Sequence, residues 1–96
     1  MIRIVKLTFS PEHKQDFIDL VAQYKDQIRS NTGCQGVDFL NDRENENIFF
    51  TYSHWDNPEC LDAYRNSELF HEVWSQVKQW FADKPEAWSV EEMGDI

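Results

Sequence analysis

Apolar and polar residues alternate from the start of the chain. Between Ile2 and Phe9, Arg3, Val5, Leu7 and Phe9 share one face, and Ile2, Ile4, Lys6 and Thr8 share the other, which is the two-residue period of a strand. Ser10-Pro11-Glu12 supplies a cap residue, a proline for the first helical position and an acid for the first turn, so a helix is predicted to begin there. Phe17, Leu20, Val21, Tyr24 and Ile28 recur at i, i+3, i+4, i+7 and i+11, an apolar stripe down a long first helix. Asn31-Thr32-Gly33 ends it, glycine being suited to a left-handed cap.

Cys34 to Leu40 reads as a second strand, and the polar run Asn41 to Asn47 as a hairpin loop into a third, Ile48 to Trp55. Asp56-Asn57-Pro58 breaks that strand and caps a short helical turn carrying Leu61 and Tyr64. A second start signal, Ser67-Glu68, precedes Phe70, Val73, Trp74, Val77 and Phe81 at helical spacing, so the second helix is predicted in two parts. Lys84-Pro85-Glu86 closes it, and Ala87 to Glu92 forms a fourth strand with Trp88 and Val90 on one face.

The order βαββαβ is that of the α+β ferredoxin-like fold, an antiparallel sheet with two helices on one face. One such domain over residues 1–96 suits the chain length. The third strand has Ile48, Phe50 and Tyr52 on one side and Phe49, Thr51, Ser53 and Trp55 on the other. A sheet covered on one face should be polar on its open one. An apolar open face therefore points to a homodimer packed through it.

Composition narrows the function. Eighteen acids against nine Lys and Arg give a net charge of −9, which disfavours nucleic acid and anionic membrane surfaces as partners. Cys34 and Cys60 form no CxxC pair, and no Cys/His cluster has zinc spacing, so no metal is expected. The opening MIRIVKLTF lacks the apolar stretch and cleavage site of a signal peptide, and a cytoplasmic location is expected. Three dispersed glycines build no phosphate-binding loop, and no cofactor is expected.

TYSHW closing the third strand, the Asp-Asn-Pro turn, the segment AYRNSELF and the Gly33-Cys34 entry to the second strand, in this order and spacing, resemble the antibiotic biosynthesis monooxygenase family from Met1 to about Met93. The resemblance implies a dimeric α+β barrel with a pocket between sheet and helices in each subunit. It also implies cofactor-independent oxidation of a small aromatic, a quinol or phenol, by O2. Many members have glutamate where Ser53 stands and histidine where Tyr64 stands; in the haem-degrading branch a histidine ligand falls about where Trp74 stands. Haem degradation is therefore not expected. The alternative function is a non-catalytic dimeric module of the same fold that binds a small ligand or serves only for interaction.

In the catalytic reading, Trp55 and Trp74 wall a flat substrate, and Thr51 and Ser53 orient it through their hydroxyls. Tyr64 can add its ring to the same slot; His71 is the candidate proton acceptor, and Ser53 or Tyr64 the candidate hydrogen-bond donor to a developing phenolate. In the plainer reading, Trp55 and Trp74 are core, the hydroxyls bond nearby backbone, Tyr64 packs its ring and His71 faces solvent. His13 and His54 are weaker candidates for chemistry, on the first helical turn and the opposite strand face.

Overall fold

The computed structural model describes residues 1–94; the last two residues of the expected domain lie outside the described residues. The alternating segments become β1 (Ile2–Thr8), β2 (Cys34–Asn41), β3 (Ile48–Trp55) and β4 (Glu86–Val90). They form one sheet in the order β2-β3-β1-β4, each neighbouring pair antiparallel. The helices are α1 (Lys14–Arg29), α2 (Pro58–Arg65) and α3 (Glu68–Val77). This is the ferredoxin-like α+β order expected from the sequence, with its second helix in two pieces.

Local chemistry explains each break. The Asn57 side chain accepts from the Cys60 N–H at 2.9 Å, and Ser67 Oγ accepts from the Phe70 N–H at 3.2 Å, so α2 and α3 each begin on a side-chain cap. Ser10 behaves otherwise. It makes no side-chain cap, because the chain first winds a 3-10 turn, Pro11–His13, in which the His13 N–H returns to the Ser10 carbonyl at 2.9 Å. At the other end of α1, the Asn31 amide donates to the carbonyls of Gln27 and Ile28. Gly33 then takes φ +79°, with Cys60 so close that a Cβ there would lie 2.7 Å from the Cys60 Cβ. Only glycine meets both demands without strain.

Register separates the two sheet faces. Arg3 pairs with Ser53 and Ser89, Val5 with Thr51 and Ala87, and Leu7 with Phe49; this face lies under the helices. Phe17, Leu20, Tyr24 and Ile28 of α1 and Val77 of α3 bury against it with Leu7, Phe9, Val37 and Phe49. The open face carries the rows Asp38–Tyr52–Ile4–Trp88 and Leu40–Phe50–Lys6–Glu86. On it Trp88 is 44% exposed and Leu40 47%, large apolar side chains set among the charged Asp38, Lys6 and Glu86.

Candidate functional site

A cavity of about 350 Å³ lies between the helices and the covered sheet face, within the ~300–1,000 Å³ range of small-molecule sites. Val5, Leu7, Phe17, Leu20, Val37, Val73 and Val77 form its apolar depth. Thr51, Ser53, Trp55, Tyr64 and Trp74 also line it, so five of the six site residues expected from the sequence meet around one space. They do so because Thr51, Ser53 and Trp55 alternate onto one face of β3, while Tyr64 and Trp74 face them from α2 and α3.

The sixth, His71, is exposed on α3 and is not among the lining residues. Its ring stands edge-on to that of Phe70, 6.2 Å between centres, and Phe70 does line the cavity. His54 pairs with Ile2 in the open-face register, and His13 bonds Asp16.

The aromatic wall is continuous. Trp55 stacks on Tyr64 at 5.4 Å, Tyr64 meets Phe70 edge-on at 5.3 Å, and Phe70 stacks on Trp74 at 5.8 Å. The Trp55 indole N–H donates to Ser53 Oγ at 2.9 Å, and the Ser53 hydroxyl reaches the Arg3 carbonyl at 3.4 Å. Ser53 therefore satisfies its neighbours first, as in the plainer reading, and retains at most one lone pair for a ligand. Burial pushes the Tyr64 phenol up to about 12, the nearby Cys34 thiol adding to the effect. Tyr64 is thus a neutral donor and acceptor across the physiological range. Burial likewise raises the Cys34 thiol.

The family model for antibiotic biosynthesis monooxygenases matches residues 1–75. The chain belongs to this family. Among solved structures, an antibiotic biosynthesis monooxygenase superposes with a TM-score of 0.88 over 97% of this chain and 99% of its own, at 15% identity. A conserved protein of Methanosarcina mazei superposes at 0.84, over 90% of this chain and 86% of its own, at 24% identity. At these identities the likeness is one of fold. By sequence, the uncharacterised protein sll1783 of Synechocystis is 32% identical over 62 residues, 65% of this chain; the match spans 42% of that relative's length.

Within this family frame, the site has one feature that sequence reasoning missed. Arg3 and Arg65 line the cavity. A signal for Arg3 was present, a charged residue on the same strand face as Val5, Leu7 and Phe9. Arg65 gave none, since a basic residue in the last turn of a helix is accounted for by the helix dipole. The Arg3 guanidinium donates to the Ser89 hydroxyl at 2.9 Å. Its pKa is lowered by burial and by the Arg65 charge, against a smaller opposing effect of Asp62. Glu86 also lines the rim, but its carboxylate turns to Lys6 at 3.7 Å. Among the described residues, no group of three or more His, Cys, Asp or Glu could hold a metal ion, and no helix is long and apolar enough to cross a membrane.

Proposed function

We propose that this protein is a cofactor-independent monooxygenase that oxidises a small electron-rich phenol or quinol with O2, working as a homodimer. The supporting observation is the continuous wall Trp55–Tyr64–Phe70–Trp74 along a largely apolar cavity, in a chain of a monooxygenase family. A flat ring stacked on that wall is held away from water, and hydroxyls at one end orient its oxygen.

Once deprotonated, the bound phenol passes one electron to O2. The resulting radical pair joins as a C–O bond, and the hydroperoxide loses water as its O–O bond breaks. A phenol and O2 become a quinone and H2O, with no electrons required from elsewhere. Tyr64, neutral, hydrogen-bonds the phenolate, and Thr51 and Ser53 set the ring's orientation. His71, behind Phe70, takes the proton through water.

The homodimer reading rests on the open sheet face, where Ile4, Tyr52, Trp88 and Leu40 would meet their copies. Binding without catalysis is the second reading. One observation favours it: no imidazole or free carboxylate lines the cavity among the described residues.

Oxygen uptake by the purified, metal-free protein with a panel of hydroquinones and polycyclic phenols tests the proposal, repeated with Trp55→Ala and His71→Ala. Uptake well above autoxidation and lost in Trp55→Ala supports the oxygenase. Full activity in His71→Ala removes that residue's role and leaves the slot. No uptake across the panel favours the binding module.

A further inference from the structure

Arg3 occupies the middle of the sheet row Val37–Ser53–Arg3–Ser89 on the covered face, a position whose neighbours along β1 are apolar. Arg65 ends α2 and lines the same cavity. A chain carrying twice as many acids as Lys and Arg has thus placed two guanidinium groups at one pocket. Neither forms an ion pair among the described residues. The two positive charges repel, Asp62 offsetting this only in part, and an anion between them removes the repulsion. Arginine is also the side chain whose planar fork matches a carboxylate. The bond from Arg3 to Ser89 fixes the direction of one fork and leaves its remaining N–H groups for a ligand.

We propose that Arg3 and Arg65 form an anion subsite at the edge of the cavity, and that the molecule bound there is an aromatic carboxylate whose ring lies along the Trp55–Trp74 wall. The inference rests on the cavity being the substrate site and narrows that substrate to a hydroxyaryl carboxylic acid. The acid group anchors the molecule while the ring carries the reacting carbon. An anchored ring keeps one orientation against Tyr64, and uncharged polycyclic compounds of the same size bind less tightly.

The test uses 2-naphthoate and its neutral counterpart 2-naphthamide, measured by titration calorimetry at low and high salt. Neither carries the hydroxyl that the reaction oxidises, so binding is read without turnover. The expected result is a preference of about tenfold for the naphthoate at low salt, the order of one charge-assisted contact, shrinking as salt is raised. Arg65→Met brings the ratio of the two affinities towards one. Arg3→Met does the same; should that variant not fold, the exposed Arg65 position carries the test by itself. Equal affinity for the two compounds, no binding of either, or a preference untouched by Arg65→Met overturns the subsite. The two proposals fail separately. Naphthoate preference without oxygen uptake on any hydroxyaryl acid keeps the subsite and removes the reaction, whereas uptake with neutral naphthols and no naphthoate preference removes the subsite alone.

Discussion

Replacing Tyr64 by Phe deletes one oxygen from the cavity wall and should change how the fold responds to alkali. In an unfolded chain a tyrosine ionises near pH 10, whereas burial holds Tyr64 up to about 12. Between those values the unfolded chain gives up a proton that the folded chain keeps, so stability falls as pH rises. Tyr64 contributes its full share below pH 10 and loses it as pH approaches 12. At about 1.4 kcal/mol per pH unit, the loss is roughly 1.4 kcal/mol at pH 11 and tends to roughly 2.7 kcal/mol above pH 12. The ring contacts with Trp55 and Phe70 survive in Tyr64→Phe, so at pH 8 the two proteins should differ by less than about 1 kcal/mol.

Urea unfolding at pH 8, 9, 10 and 11, at one protein concentration, measures the difference. Tyr24 is also raised, chiefly by donating to Glu72 at 3.0 Å, and Cys34 is raised by burial; both remain in the variant, so only the difference in slope belongs to Tyr64. Parallel stability curves for the two proteins, or tyrosinate absorbance showing all three tyrosines ionising together near pH 10, would refute the reasoning. They would also make Tyr64 too exposed to act as a neutral donor in a dry slot.

Gly33→Ala should cost roughly 2–4 kcal/mol in chemical unfolding, since it combines a left-handed φ with overpacking against Cys60. Adding Cys60→Ala should restore only part of this loss, because the Cys60 Cβ at 2.7 Å remains. Asn57→Ala removes the cap on the Cys60 N–H and should lower stability by about 1 kcal/mol, with Asn57→Ser recovering most of it in the same melts. Trp88→Glu places a charge on the open sheet face beside Ile4 and should convert the proposed homodimer into a folded monomer in sedimentation; an unchanged mass would remove this face as the subunit contact.

Elements with a clear period or a cap were legible in the sequence, and their limits were set by backbone details that the sequence states less plainly. The stripe Phe17-Leu20-Tyr24-Ile28 announced α1, and Ser67-Glu68 announced the break between α2 and α3. Ser10 misled because a proline six residues before the first apolar position, Phe17, can equally start a 3-10 turn, in which the backbone does the capping. The site was legible where residues share a strand face, as Thr51, Ser53 and Trp55 do. Helix positions were harder to place: His71 lies one residue from Phe70, about 100° around the axis, and that step carries it from the cavity wall to solvent. Arg3 was passed over because a polar residue on an apolar strand face was read as part of the alternation rather than as an interruption of it, and Arg65 because the last turn of a helix accounts for a basic residue by itself.

Ser53 and Tyr64, which stand where the resemblance implies glutamate and histidine, form a coherent set once the register is known. Ser53 pairs across the sheet with Arg3, and its hydroxyl bonds the Arg3 carbonyl while accepting from the Trp55 indole. A glutamate at this position would stand beside the guanidinium and neutralise it. With serine there, the wall Ser53–Trp55–Tyr64 is uncharged, and Arg3 feels the charge of Arg65 more strongly than the opposing charge of Asp62. An imidazole in place of Tyr64 would add a titrating group to the same wall, whereas the phenol keeps its proton throughout the physiological range. On the proposed reading, Ser53 and Tyr64 leave the wall without a charge of its own, so that Arg3 and Arg65 set the sign of the ligand's anchoring group while the proton leaves through His71, outside the wall.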